Sequence, residues 1–356
     1  MRNESRLAQA LLHRIEKLVT GETNLMEVCG THTMAISSSG IRRMVPHGLK
    51  LLSGPGCPVC VTPAEDIDWI IELTKIPGVI LTTFGDMIKV PGSHSSLEGE
   101  MAQGAEVKVV YSPLDALQIA ERNPEKKVCF VGVGFETTSP TVAATILLAR
   151  EKGVKNLLIY PAFKLIPPAM GFLCAQEEAR IDGFICPGHV STIIGSHPYE
   201  FIPERFGIPC VIIGFEPLDI LQGIWMLLRQ SRDDDPKVEI QYERGVNQEG
   251  NPKALASIEK VFQQCDSQWR GIGEIPSSGL SLSEEFADYD AKKAFDLHPP
   301  RAEEPKGCIC GPIMMGLKVP PDCGLFGKRC TPQTPVGPCM VSSEGACAAY
   351  YKYGES

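Results

Sequence analysis

The chain repeats itself at a nearly fixed interval, and that limits its fold more than any other feature. Pro113-Leu114-Asp115-Ala116-Leu117-Gln118 returns as Pro217-Leu218-Asp219-Ile220-Leu221-Gln222, an offset of 104 residues. Gly92-Ser93-His94 returns as Gly195-Ser196-His197 after 103, and Pro63-Ala64 as Pro168-Ala169 after 105. Three echoes in order predict an internal duplication. The repeated unit is a short apolar run, a loop and a helical segment. Four such runs (Leu25–Val28, Leu49–Leu52, Val79–Thr83, Val107–Tyr111) are answered by four more (Val128–Val133, Leu157–Tyr160, Gly183–Cys186, Cys210–Ile213). Apolar runs without alternation, separated by helices, predict parallel strands buried on both faces. The expected fold class is therefore α/β, with two duplicated parallel-sheet domains at 25–122 and 123–232. A third α/β domain at 233–356 follows the charged exit Arg232-Asp233-Asp234-Asp235-Pro236. In that third domain a strand is expected at 238–242, with helices at about 252–264 and 283–295. Residues 5–20 predict an amphipathic helix, which within 1–24 has no counterpart in the second half and is expected to pack on the third domain.

Parallel sheets carry their sites at the strand C-termini, and thiols stand at two of these positions. The first strand runs into Cys29-Gly30-Thr31-His32-Thr33 and the second into Gly54-Pro55-Gly56-Cys57-Pro58-Val59-Cys60. A Cys-x-x-Cys before a helix whose first turn holds Pro63, Glu65 and Asp66 is poised either to cycle between dithiol and disulfide or to clamp a soft metal. The aligned loops of the second half hold no thiol and offer Glu136, Thr137, Thr138, His189, Ser191 and Glu216 instead. His32 and His189 stand at matching strand ends. Each is read as a hydrogen-bond donor to a bound group, or else as a packed histidine or a helix cap. Asp86, Glu136 and Glu216 are weaker candidates for the same cleft. Gly132-Val133-Gly134 lacks the further glycine of a dinucleotide loop, and no phosphate-binding Gly-Lys-Ser/Thr loop exists.

From Gly307 onward the composition shifts to Cys, Pro and Gly, with Cys308, Cys310, Cys323, Cys330, Cys339 and Cys347 in about 40 residues. A segment so poor in large apolar residues needs a staple. Its long cysteine gaps suit an iron–sulfur cluster, while zinc or disulfides remain open alternatives, and spacing does not say which four of the six would be ligands. The whole chain holds 14 cysteines. Those at 129, 174, 186, 210 and 265 lie in apolar segments and are expected to be inert. Net charge is −9 with no block of basic residues, which argues against a nucleic-acid partner. No apolar run approaches membrane length and the N-terminus has no signal-like core, so no membrane partner and a cytoplasmic location are expected.

Taken together, Cys29-Gly30-Thr31-His32-Thr33, Gly54-Pro55-Gly56-Cys57-Pro58-Val59-Cys60, Pro187-Gly188-His189-Val190-Ser191 and the Cys-rich tail resemble the HypD family of [NiFe]-hydrogenase maturation factors, along essentially the whole chain. The resemblance implies two related Rossmann-like units and a third domain bearing a [4Fe–4S] cluster. On the family's spacing its ligands would be Cys308, Cys323, Cys330 and Cys347. Cys310 and Cys339 would be left as a disulfide-capable relay between cluster and cleft. The implied function is assembly of the Fe(CN)2CO group of the hydrogenase. A HypC-type small chaperone and a HypE-type cyanide donor would be the partners. Cys29 would be the iron ligand, and Cys57 and Cys60 either further ligands or a redox dithiol. The competing expectation is a disulfide oxidoreductase that works through Cys57 and Cys60 alone and has no use for Cys29.

Overall fold

The computed structural model describes residues 2–176, 178–299 and 301–354. Its architecture is α/β, with two parallel-dominated sheets wrapped by helices. Among the described residues eleven strands form: β1 (Thr23–Glu27), β2 (Leu49–Ser53), β3 (Val79–Thr83), β4 (Val107–Val109), β5 (Lys127–Gly134), β6 (Leu157–Lys164), β7 (Gly183–Pro187), β8 (Cys210–Ile213), β9 (Val238–Ile240), β10 (Phe262–Trp269) and β11 (Gly273–Leu282). The eight duplicated strands are those predicted.

Their pairing is not. Two contiguous four-stranded sheets were expected, but the first sheet has the order β2-β1-β7-β8-β9 and the second β10-β11-β6-β5-β3-β4. Each sheet takes its first two repeated strands from one half of the chain and its last two from the other. With the repeat numbered one to four, both sheets run two-one-three-four, so the duplication holds and the halves exchange strands. The boundary expected near residue 122 therefore separates no folded units. Leu25 sits opposite Gly183 across the exchange in the first sheet, and Val79 opposite Lys127 in the second.

The echoed segments have a local cause. Pro113-Leu114-Asp115 and Pro217-Leu218-Asp219 each open a helix, with Pro in the first turn and Asp at the third helical position. Asp115 accepts the Ser112 N–H at 3.0 Å and Asp219 the Glu216 N–H at 3.3 Å, closing a capping box on both helices.

The region after residue 233 also divides. β9 extends the first sheet in parallel, whereas β10 and β11 form an antiparallel hairpin on β6 at the edge of the second. The helix expected at 252–264 ends at Val261, where β10 begins. The segment expected to be helical at 283–295 is a 3-10 turn, Glu284–Tyr289, and one helical turn, Ala291–Ala294. The N-terminal helix, Arg2–Leu18, packs on the first sheet's Pro217–Asp233 helix rather than on the third region. Its apolar side dictates this. Leu11, Leu12, Ile15 and Leu18 join one core with Ile220, Ile224, Leu227 and Trp225, and Arg14 lies over the Trp225 ring. Among the described residues no helix is long and apolar enough to cross a membrane.

Candidate functional site

The loops after β1, β2, β7 and β8 gather at the C-terminal edge of the first sheet. The chain leaves β1 toward β2 and β7 toward β8, in opposite directions, so β1 and β7 flank the switch point where open α/β sheets bind ligands. Cys29 follows β1 and His189 follows β7. Cys29 is the N-cap of the Gly30–Ser39 helix, and Cys57 caps the one-turn helix Pro58–Val61. Gly56 brings the two loops together. Its carbonyl accepts the Gly30 N–H at 2.8 Å, and a Cβ at Gly56 would collide with the backbone of Val28 and Cys29. Cys57 and Cys60 are joined as a disulfide in this structure, and Cys29 is a separate thiol.

Cys29 is 8% exposed, and burial pushes its thiol up to about 12. Glu344 and Glu27 push it the same way, while the backbone N–H groups of His32 and Thr31 pull against them. Beneath it lies Glu27, fully buried. One Glu27 oxygen accepts the Cys29 N–H at 3.1 Å and the other the Thr33 hydroxyl at 2.6 Å. Burial pushes the Glu27 carboxyl up to about 7, against the pull of Thr33 and Arg42. The Arg42 guanidinium donates to the Leu51 carbonyl and to the Ser53 hydroxyl at the end of β2.

The two histidines meet through a residue that sequence reasoning did not single out. His32 Nε2 lies 2.9 Å from the Gly214 carbonyl, which makes that nitrogen the proton donor. Its ring stacks on Phe215 at 4.8 Å, and His189 stacks on Phe215 at 4.0 Å. His32 is fully buried, and burial pushes it down to about 4, so it is neutral at physiological pH. Its Nδ1 is buried without a partner. His189 is exposed at the mouth. Asp86 lies apart, exposed after β3 of the second sheet, and Glu216 caps the 217–233 helix.

The Cys-rich tail closes the site from the other side. Its Pro338–Val341 turn packs against the Pro58–Val61 turn, and the Pro338 carbonyl stands 3.9 Å from Cys60 Sγ. The Ala346–Tyr353 helix packs on the Gly30–Ser39 helix. Between them Glu344 accepts the Thr31 hydroxyl at 2.9 Å, and its stem fills the space beside Gly30. Within the tail, Cys308, Cys310, Cys323, Cys330 and Cys347 line one small cavity with Ile313, Leu325, Phe326 and Met340. Cys308 and Cys310 are 3.2 Å apart at sulfur. Hydrogen bonds from Cys308, Cys339 and Cys347 hold the Cys310 thiol well below its ordinary range. Among the described residues no three His, Cys, Asp or Glu side chains are grouped to hold a single metal ion. A cubane asks less, because each corner iron takes one thiolate and the four sulfurs need only face one space. The thiol-only donor set and apolar wall of this cavity fit such a cluster.

The structure thus gathers Cys29, Cys57, Cys60, His32 and His189 at one sheet edge and places Cys339 next to the residue that touches Cys60. Sequence reasoning missed Glu27, Phe215 and Glu344. A charged residue inside the run Leu25-Met26-Glu27-Val28 was a legible sign of the first; nothing local marks the other two. Of the cysteines expected to be inert, those at 129, 186 and 210 are fully buried. Cys174 and Cys265 are half-buried, at a helix end and on edge strand β10.

The chain matches the HypD family, described as "Hydrogenase formation hypA family", over residues 6–354. It is 48% identical over 337 residues to the hydrogenase maturation factor HypD2 of Bradyrhizobium diazoefficiens, covering 92% of this chain and 89% of that one. It is likewise 48% identical to the hydrogenase maturation factor HypD of Azotobacter vinelandii, covering 93% and 89%. With the HypD of Rhodobacter capsulatus it shares 44% over 360 residues, covering 98% and 96%. Matched along nearly its whole length by these relatives and by the family pattern, the chain belongs to the HypD family of hydrogenase maturation factors.

Proposed function

We propose that this chain is the scaffold on which the Fe(CN)2CO group of [NiFe] hydrogenase is assembled, with iron as its cargo and Cys29 as its iron ligand. The observation that carries this reading is the third thiol. Cys29 stands at the switch-point mouth beside a Cys57–Cys60 disulfide that is complete without it. Soft thiolate suits low-spin iron that also binds carbon monoxide and cyanide. In this reading the chain supplies one such donor and a cysteine of a HypC-type chaperone supplies a second. A HypE-type protein would deliver cyanide to that complex. The exposed ring of His189 would donate to cyanide nitrogen, whereas the bare Nδ1 of His32, whose proton sits on Nε2, can only accept.

Cys57 and Cys60 act in this reading as a redox dithiol. Opening their disulfide takes two electrons and two protons and leaves two thiols beside Cys29. Cys308, Cys323, Cys330 and Cys347 would hold a [4Fe–4S] cluster, which when bound supplies single electrons. Cys310, on the wall of that cavity, and Cys339, next to the Pro338 that stands by Cys60, would serve as the relay. Infrared spectroscopy of the chain purified without oxygen together with its small partner tests the proposal. Carbon monoxide and cyanide stretching bands are expected and should vanish in Cys29→Ala. If Cys29→Ala keeps the bands, the ligand assignment is wrong. No bands, with Cys57 and Cys60 still turning over, would leave the disulfide oxidoreductase, which the observed disulfide also supports.

A further inference from the structure

The second sheet has a strand-end cavity of its own, of about 530 Å³, over the C-terminal ends of β5 and β6. Its walls are apolar, with Leu165 and Pro168 after β6, Leu255 and Ile258 on the Pro252–Val261 helix, and Leu280 on β11. Among the described residues no cysteine lines it, nor do His32 or His189. Among the described residues its charged groups are Glu136 and Glu259, with no lysine, arginine or histidine. Glu136 lies 104 residues after His32, so the duplication puts it where the first sheet has its buried histidine.

Glu136 is 4% exposed. One of its oxygens accepts the Ile166 N–H at 2.9 Å, and the other is buried with no partner. A carboxyl oxygen in that position costs free energy that a donor from a ligand would recover. The cavity has the size and the largely apolar lining of small-molecule sites, with few polar groups to orient the occupant. Two carboxylates without a countercharge select for positive charge.

We propose that this cavity binds a small organic cation, with an ammonium group on the Glu136 carboxylate and an apolar body against Leu165, Leu255 and Leu280. The site is separate from the Cys29 centre and does not depend on the reading of that centre.

The test uses the full chain and benzylammonium, with benzoate as a probe of the same body and opposite charge. At about pH 8, where Glu136 is ionised, titration calorimetry should show saturable benzylammonium binding with a Kd of about 1 mM, as expected for so small a ligand, and none for benzoate. Glu136→Gln should weaken benzylammonium about tenfold or more, as expected when a buried charged partner is removed. Leu255→Trp, which fills the cavity and keeps Glu136, should abolish it. A photoreactive azidobenzylammonium should label peptides containing 165–168 or 255–262 in the unmutated chain. Equal binding of the two probes, no benzylammonium binding, full affinity in Glu136→Gln, or labelling elsewhere would each overturn the proposal.

Discussion

Gly56 has no room for a side chain. A methyl group there would run into the backbone of Val28 and Cys29, which are held by the sheet and cannot yield as a flexible side chain would. Gly56→Ala should therefore cost about 1–3 kcal/mol or more, by the usual penalty for overpacking. It should also shift the Cys29 loop, so that iron loading falls further than global stability, measured by urea unfolding alongside iron content. Glu136 gives a second prediction, in pH. Its folded-state value is about 7 against an ordinary 4.5, raised by burial, so the folded chain holds its proton more tightly than the unfolded one. The stability this proton confers is fully present below about pH 4.5 and is lost as pH rises to 7, a span worth about 3 kcal/mol. Glu27 tilts the curve in the same direction. Unfolding free energies at about pH 5 and about pH 8 should converge in Glu136→Gln relative to the unmutated chain, by about 2–3 kcal/mol, while His32, whose value is lowered, tilts the curve the other way in both proteins. An unchanged slope would mean that Glu136 is ionised throughout. At this scale the sequence was informative about thiols, because cysteines in strand-end loops carry a chemistry that few other contexts need. It was silent on Phe215 and Glu344, whose roles exist only once β8 and the tail are folded against the first loop.

Helices and strands were legible where the pattern was strong and strand partners were not. Five of the eight repeated strands, β3, β5, β6, β7 and β8, are buried on both faces, so in them no alternation of polar and apolar residues marks which neighbour each will take. The hairpin β10–β11 was missed for the opposite reason. Phe262-Gln263-Gln264-Cys265-Asp266-Ser267-Gln268-Trp269 is mostly polar, and its first residues continue the helical stretch before it. The N-terminal helix was recognised by its apolar stripe, yet the stripe does not name its receiver, which is the 217–233 helix. Ile15, fully buried in that contact, gives an element-scale prediction. Ile15→Ala should lower the unfolding free energy by about 2–5 kcal/mol while the Cys57–Cys60 redox potential stays unchanged. In the tail, Gly337 faces the sulfurs of Cys308 and Cys310, and a Cβ there would sit 2.6 Å and 2.8 Å from them. Gly337→Ala should reduce the iron and acid-labile sulfide recovered with the chain. Normal contents would show that this cavity is not where a cluster is held.

For the whole molecule, the exchange of strands between halves replaces the expected pair of independent domains. A fragment ending at residue 123 would carry β1 and β2 without β7 and β8, and β3 and β4 without β5 and β6. It should show no cooperative unfolding transition by circular dichroism. Mixing it with the fragment beginning at residue 124 should restore one. Independent folding of either piece would contradict the exchange. The arrangement also accounts for where the chemistry sits, because the Cys29 and His189 loops, remote in sequence, are neighbours only across the exchanged pair β1–β7.

The same pairing sets a clock on synthesis. β1 leaves the ribosome early, but its partner β7 begins about 160 residues later. At roughly 5–20 residues per second the nascent chain waits about 8–30 s before that edge can close. Throughout that interval an apolar strand with the Cys29 thiol at its end has an open edge, the state in which strands recruit wrong partners and thiols are oxidised. The chain should therefore depend on holding factors during translation more than its finished compactness implies, and slowing elongation between the two strands should lower the yield of soluble protein.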